Sequence, residues 1–252
     1  ARLSERSARG YERVRGLAAP IMKSITWVAA QAEPDAERFR RIGVAASHVE
    51  VTGSVKFDVD IPEDVRLASE RFRTTLGPRP VWIAGSTHCG EDEQLLQAHR
   101  LVLAGHPDAL LIIVPRHPER FDTVAVMAQE LGFQVARRSQ GQGAGGVQVY
   151  LADTMGELMM LYGASDLAFV GGSLIERGGH NPLEPAAWGI PVFSGPHVFN
   201  FETIYERLLA DQGVQLVQEP DDLARAINRL FANLAECKAY GERALAVVNK
   251  NR

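Results

Sequence analysis

Polar, turn-forming residues follow several apolar runs of this sequence, and their types suit the binding of a phosphate group. Gly85, Ser86 and Thr87 directly follow the apolar run 81–84. A glycine lets a ligand approach the backbone closely, and hydroxyls ahead of a helix lie where anions are attracted. A structural alternative stays open, because serine and threonine are also common N-cap residues.

Arg116 follows a second apolar run, 109–114, and precedes His117 and Pro118. Proline suits the first helical position, so a helix is expected to begin there. A guanidinium beside a helix N-terminus can bind a phosphate through two parallel hydrogen bonds, and the helix adds partial positive charge. The alternatives are a solvated surface arginine and a loop histidine with a structural hydrogen bond.

The segment 153–157 places a glycine among residues typical of a helix start. Thr154 and Glu157 have the spacing of a capping box, and a helix is predicted over 154–161. Gly156 disfavours a first helical turn, so its presence is more easily explained if a ligand lies against the backbone there.

The segment 169–189 is rich in glycine and polar residues between apolar flanks. Asn181 is expected to cap a helix that begins at Pro182. Glu184 either bonds back to the backbone as in a capping box or accepts hydrogen bonds from the hydroxyls of a sugar, as acidic residues do for ribose in dinucleotide folds. The glycines would give a phosphorylated ligand room to approach.

Lys56 lies where a change of composition suggests a domain boundary, so its ammonium group is a candidate to face a cleft; a solvated lysine is the alternative. Metal-ligand spacing is absent among His88, Cys89, His117 and His180, and no metal site is expected. Neither GxGxxG nor GxxxxGKS/T occurs, which disfavours a dehydrogenase and a P-loop ATPase.

Apolar runs bounded by turn residues alternate along the chain with segments of helical periodicity. This alternation predicts an α/β fold with right-handed crossovers and a doubly wound, largely parallel sheet, in which ligands bind beyond the carboxyl ends of the strands. The predicted strands are 25–30, 48–52, 81–84, 109–114, 147–151, 167–170 and 190–193, and the predicted helices are 35–42, 91–104, 118–131, 154–161, 182–188 and 221–230.

The composition is that of a folded globular chain and indicates no particular partner. The 252 residues are 46% hydrophobic and 23% charged, with a formal net charge of −4. Two cysteines without CxxC spacing favour a reducing compartment. The segment 56–80 interrupts the alternation of strands and helices, so we predict a boundary there, after a small N-terminal segment of residues 1–55 and before a complete α/β domain of residues 81–252.

Seven motifs spread along almost the whole chain carry a resemblance to a known family: ARLSERSARGY, TGSVKFD, GSTHCGE, VPRHPERF, DTMGELMMLYG, FVGGSLIERGGHNPLEPA and GPHVFNF. With these motifs the chain resembles the 3-deoxy-D-manno-octulosonic acid (Kdo) transferases of Gram-negative lipopolysaccharide biosynthesis. The resemblance implies a GT-B glycosyltransferase with two Rossmann-like domains, of which this chain would hold the C-terminal, donor-binding domain and the last β-α units of the N-terminal one. The membrane-anchored, acceptor-binding remainder is expected upstream.

The resemblance also implies roles for individual residues. Lys56 matches the proposed transition-state stabiliser of the family. The family's general base is a glutamate of the N-terminal domain and matches no residue here, so this chain is expected to bind nucleotide without catalysing transfer. The residues implied in cytidine nucleotide binding are Arg116, His117, Met155, Gly156, Glu157, Asn181, Pro182, Leu183 and Glu184.

The function implied is transfer of Kdo from the donor CMP-Kdo to a lipid A precursor, lipid IVA, with CMP as product and no cofactor or metal in the chemistry. The implied partners are CMP-Kdo, the lipid acceptor and the cytoplasmic face of the inner membrane, the last through the N-terminal domain; nucleic acid is not expected. Two alternatives stay open. One is another GT-B enzyme, such as a non-hydrolysing sugar-nucleotide 2-epimerase, and the other is a non-catalytic sugar-nucleotide binding module.

Overall fold

The computed structural model describes residues 1–52 and 57–252, and it divides into two compact units. One unit consists of Ala1–Asp58 with Lys250–Arg252, and the other of Val59–Asn249. Lys56 lies outside the described residues. The domain limits drawn from the sequence stay predictions.

The smaller unit contains two parallel strands joined through a helix, preceded by two further helices. Its elements are α1 (Glu5–Arg13), α2 (Arg15–Lys23), β1 (Val28–Ala30), α3 (Glu33–Arg41) and β2 (Val49–Val51). Apolar side chains from these elements form its own core, namely Leu3, Ala8, Met22, Val28, Ala30, Ala36, Ile42, Val44 and Val49.

The larger unit is built on a seven-stranded sheet of order β5-β6-β4-β3-β7-β8-β9, in which every pair of neighbours is parallel. Helices cover both faces, which confirms the predicted doubly wound α/β class. Its elements are α4 (Glu63–Leu76), β3 (Val81–Thr87), α5 (Asp92–Gly105), β4 (Leu110–Pro115), α6 (Phe121–Glu130), β5 (Val135–Arg137), β6 (Val149–Leu151), α7 (Leu158–Gly163), β7 (Leu167–Val170), α8 (Leu183–Ala187), β8 (Val192–Ser194), α9 (Glu202–Ala210), β9 (Gln215–Leu216), α10 (Pro220–Ala232) and α11 (Leu234–Lys250).

The central strand β3 is apolar on both faces because both are covered. Trp82 and Ala84 pack in a cluster with side chains of α5, α6 and α10. Val81 and Ile83 point to the opposite face and pack with side chains of α4 and α7. Residues in a strand alternate between the two faces, so a strand covered on both sides reads as an unbroken apolar run.

The strand order places a topological switch point between β3 and β7. The chain runs from β3 to its neighbour β4 on one side, and later returns to the other side of β3 as β7. Loops leaving two strands in opposite directions open a crevice beyond their carboxyl ends, and ligands of doubly wound sheets bind there.

The structure differs from the predicted elements in several places. Helix α4 occupies 14 residues of the segment 56–80, where we predicted no regular element. The helices α1, α2, α9 and α11 and the short strands β5 and β9 were not predicted either. The helix predicted over 154–161 begins only at Leu158. Across 1–52 and 57–252, no helix has both the length and the apolar run needed to cross a bilayer.

Candidate functional site

A cavity of about 340 Å³ opens beyond the carboxyl ends of β3 and β4, beside the chain that enters α8. A volume of this size is in the range of small-molecule sites. Among the residues predicted from the sequence, Gly85, Thr87, His117, Glu157, Pro182 and Leu183 do not line the cavity. Those that line it are Ser86, Arg116, Met155, Gly156, Asn181 and Glu184, together with Val114, Pro115, Thr154, Leu158, Tyr162, His180 and Phe201.

Strand β3 ends in a bulge that brings Ser86 to the cavity. The register against β4 shifts between Gly85 and Thr87, and Ser86 has a φ of 58°, in the left-handed region that residues other than glycine rarely adopt. The hydroxyl of Thr87 instead donates a hydrogen bond of 2.6 Å to the buried carboxylate of Asp92. Neither hydroxyl caps α5, whose N-cap is Glu91, so the N-cap alternative is wrong for both.

Gly85 is required by the packing of Tyr162. A Cβ atom at Gly85 would lie 2.2 Å from the Tyr162 hydroxyl oxygen. Burial, together with the nearby carboxyl of Glu184, raises the pKa of this phenol well above its usual value. Tyr162 therefore lines the cavity as a neutral hydroxyl. Sequence reasoning missed it, because no local pattern shows that a tyrosine of α7 touches a glycine of β3.

Arg116 is exposed at the edge of the cavity. Its backbone N–H donates to the Thr87 carbonyl at 2.9 Å, which joins the ends of β3 and β4. Within the described residues, its guanidinium makes no hydrogen bond or ion pair. The group therefore remains available for an anionic ligand, and its predicted role in phosphate binding stays a prediction.

Three histidines, from different loops, meet beside the cavity. The Nε2 atoms of His88 and His180 are 2.7 Å apart, the planes of the two rings differ by 3°, and the His117 ring lies edge-on to His88. Burial, followed by the neighbouring His180, lowers the pKa of His88 to about 4. Burial, followed by Arg116, also lowers the pKa of His180. Among the described residues, no group of three or more His, Cys, Asp or Glu side chains is placed to hold a metal ion.

Glu157 forms an ion pair and does not complete a capping box. Its two carboxylate oxygens accept hydrogen bonds of 2.5 and 2.6 Å from Arg138, and this pairing lowers the pKa of the carboxyl. The capping box is wrong because Glu157 itself occupies the N-cap position of α7, without a side-chain cap. Gly156 has a φ of 83°, so its backbone conformation already explains the glycine. Met155 is 57% exposed and offers an apolar surface at the cavity.

The start of α8 holds Asn181 and Glu184 at the cavity wall. The Asn181 side-chain oxygen accepts a hydrogen bond of 3.1 Å from the Leu183 N–H. Helix α8 begins at Leu183, however, and Pro182 and not the predicted Asn181 occupies its N-cap position. The side chain of Glu184 is 3.5 Å from the Asn181 amide nitrogen, at the limit of a hydrogen bond. Burial raises the pKa of Glu184. Within the described residues its carboxyl group accepts no hydrogen bond from a backbone N–H, so it can accept from ligand hydroxyls.

The glycines that end β7 make room for a neighbouring loop, and not for a ligand as expected from the sequence. A Cβ atom at Gly171 would lie 2.4 Å from the Ser86 carbonyl oxygen. The N–H of Gly172 donates at 2.7 Å to the carboxylate of Glu91. Neither glycine lines the cavity, because the loop that follows β3 fills the space beside them.

Two family models match the chain. The model described as 3-Deoxy-D-manno-octulosonic-acid transferase (kdotransferase) matches residues 1–59, and the model described as Glycosyl transferases group 1 matches residues 90–247. Both agree with the resemblance drawn from the motifs.

Two curated relatives are similar over long stretches. The 3-deoxy-D-manno-octulosonic acid transferase of Haemophilus influenzae is 42% identical over 255 residues, which cover 100% of this chain and 60% of that protein. The transferase of the same description from Bordetella pertussis is 43% identical over 183 residues, which cover 69% of this chain and 41% of that protein. The chain thus spans less than two thirds of the length of either relative.

A solved structure matches the larger portion of the chain. It is the C-terminal CMP-Kdo binding domain of WaaA from Acinetobacter baumannii, with a TM-score of 0.71 and 36% identity over 74% of this chain and 99% of that one. The similarity confirms the predicted GT-B class. By its sequence and its fold, this chain belongs to the Kdo transferases of glycosyl transferase group 1.

Proposed function

We propose that this chain is the donor-binding portion of an enzyme that transfers Kdo from CMP-Kdo to a lipid A precursor, lipid IVA, and releases CMP. One observation carries the proposal: the chain is 36% identical to almost the whole of a domain described as binding CMP-Kdo. A lipid acceptor also places the reaction at a membrane surface, and we assign it to the cytoplasmic face of the inner membrane.

The cavity has groups suited to each portion of a cytidine nucleotide. The guanidinium of Arg116, which has no hydrogen bond or ion pair among the described residues, and the hydroxyl of Ser86 can bind the phosphate. Glu184 can accept hydrogen bonds from the ribose hydroxyls. The side chain of Met155 is exposed at the cavity. A Cβ atom added at Gly156 would meet no atom within 4 Å, so the space beside this glycine is open. An apolar side chain next to an open space suits a flat pyrimidine ring.

The chemistry follows from the charges that develop on the donor. When the bond between Kdo and CMP breaks, the sugar gains oxocarbenium character and the departing phosphate gains negative charge. Hydrogen-bond donors already placed at that phosphate lower the barrier. We assign this role to Arg116 and, by family resemblance, the transition-state role to Lys56. A general base must remove the proton from the attacking hydroxyl of the lipid acceptor. We assign the role of this base to none of the described residues.

Calorimetric titration of the chain with CMP, UMP and AMP tests the proposal. We expect CMP to bind with an affinity about tenfold or more above that of UMP and of AMP. A site built to hydrogen-bond one base rejects analogues that leave its polar groups unpaired. A preference for UMP would point to an enzyme of the epimerase type. Failure of all three nucleotides to bind would contradict the proposal. A complete gene product that bound CMP and transferred no Kdo would be a binding module.

A further inference from the structure

Glu91 is a fully buried carboxylate that accepts hydrogen bonds only from backbone N–H groups within the described residues. Its Oε2 atom accepts from His88 at 3.0 Å and from Gly172 at 2.7 Å. Its Oε1 atom accepts from Ser173 and from Leu174, each at 3.0 Å. One carboxylate therefore holds the loop after β3 and the loop after β7 together.

Three consecutive N–H groups that converge on one point form the kind of concavity that binds anions. In this protein the side chain of Glu91 fills the concavity formed by residues 172–174. Hydrogen bonds to an ionised group are about twice as strong as those between neutral groups, and each buried N–H left without an acceptor is costly. The two loops are thus bound to each other more firmly than packing alone would achieve.

The contacts of Glu91 continue to the cavity through short steps. The His88 ring bonds to the His180 ring at 2.7 Å. The His180 N–H donates to the Gly171 carbonyl at 3.1 Å, and the Gly179 N–H donates to the Gly172 carbonyl at 2.8 Å. Residues 180–184, which enter α8, therefore take their position from the backbone that Glu91 holds.

Ser86 and Glu184 lie on the two sections of the cavity wall that this network connects. Glu91 does not line the cavity. We propose that Glu91 is a positioning residue of the nucleotide site, whose carboxylate fixes the separation between the loop after β3 and the segment 180–184. The inference rests on the proposed function for the identity of the ligand, and on the hydrogen bonds alone for the positioning.

Glu91→Ala with formate added back is the direct experiment. The substitution removes the carboxylate and leaves space in which formate can accept from the same N–H groups. We expect CMP to bind Glu91→Ala about tenfold or more weakly, since misplacement of site groups by about 1 Å is costly. Formate should recover a large share of this loss, and potassium chloride at equal ionic strength should not. Glu93→Ala, at an exposed carboxylate nearby on α5, is the matched control and should bind CMP as the wild type does.

Amide NMR of residues 172–174 provides a readout that needs no nucleotide. In the wild type their amide protons should be shifted downfield and protected from exchange, in Glu91→Ala both properties should be lost, and formate should restore them. Glu91→Gln keeps the volume of the side chain and leaves no space for formate. It should therefore show the loss of CMP affinity and of the amide shifts, and formate should restore neither. This variant replaces Glu91→Ala if the alanine variant does not fold.

Unchanged CMP affinity in folded Glu91 variants, or a recovery that chloride matches, would overturn the inference. So would amide shifts that do not depend on the carboxylate. If the wild type bound no CMP while formate restored the amide signals, the proposed function would fail and the positioning of the two loops by Glu91 would stand.

Discussion

The Nε2 atoms of His88 and His180 lie 2.7 Å apart, so one proton at most is shared between the two rings. This bond joins the loop after β3 to the segment that enters α8. His117, Arg177 and Arg120 add positive potential around His88, and burial adds a larger cost to charging it. The pair is therefore stable in the neutral form.

Acidification should destabilise the fold through His88. Its pKa is about 4 in the folded chain against 6.5 for the free side chain, so between these values the unfolded state binds more protons. The contribution of neutral His88 to the free energy of unfolding is therefore complete above about pH 6.5. As the pH falls toward 4, the free energy of unfolding decreases by about 1 to 3 kcal/mol. Urea unfolding at pH 7 and at pH 4.5 gives the free energy of unfolding at each pH. The difference between the two values should be smaller for His88→Gln than for the wild type. His197→Gln should behave as the wild type; an equal loss in all three proteins would contradict the role of His88.

Arg116→Ala should weaken CMP binding by about 1.5 to 3 kcal/mol, the usual range for a hydrogen bond to a charged group. Arg116→Lys should recover only a fraction of this loss, because an ammonium group cannot form the two parallel bonds of a guanidinium. Titration calorimetry at low and high salt measures both effects, with the Arg71→Ala variant as control. Wild-type affinity in Arg116→Ala would remove Arg116 from the site.

Glu184→Ala should weaken CMP binding by about 1 to 3 kcal/mol without unfolding the chain, because ligand hydroxyls lose their acceptor. The melting temperature should change little, since the Leu183 N–H bonds to Asn181 and no backbone N–H of the described residues bonds to Glu184. Titration and thermal unfolding should be measured on the same samples, with the exposed Glu206→Ala as control. A large drop in melting temperature with normal affinity of the folded fraction would assign Glu184 to the fold.

Gly85→Ala should destabilise the protein by about 1 to 3 kcal/mol, since the added methyl group overlaps the Tyr162 hydroxyl. Removing that hydroxyl in Gly85→Ala/Tyr162→Phe should recover some of the loss, because the nearest overlap is then gone. Urea unfolding of both single variants and the double variant measures the coupling. Strictly additive effects would show that the two residues do not meet.

Lys56→Ala should lower turnover in the complete gene product by about 100 to 1,000-fold, the typical cost of removing one transition-state donor. Nucleotide affinity should be kept, because the resemblance assigns Lys56 to the transition state only. Steady-state transfer assays and CMP titration separate the two quantities, and Lys23→Ala serves as a control lysine. Unchanged turnover would make Lys56 an ordinary solvated residue.

Local sequence determined five of the seven strands of the large sheet and some of the site. Strand β7 was predicted with its observed limits, since four apolar residues stand between Asp166 and Gly171. Arg116 and Glu184 were found because a polar residue at the end of a parallel strand, or at the start of the next helix, faces the ligand edge of the sheet. The strands β5 and β9 were missed, because elements of three and two residues carry too little periodicity to be recognised.

Only the tertiary structure decided which of the site residues predicted from the sequence lie together, and which groups hold them in place. Thr87 and Glu157 are of types that often bind ligands. In the structure, however, Thr87 bonds to Asp92 and Glu157 bonds to Arg138. Tyr162 and Glu91 had no signal in the sequence as members of the site, since Glu91 and its partner Gly172 are 81 positions apart. Patterns along a chain report neighbours within about one turn or one strand, whereas a crossing of loops at the edge of a sheet exists only once the strands have paired.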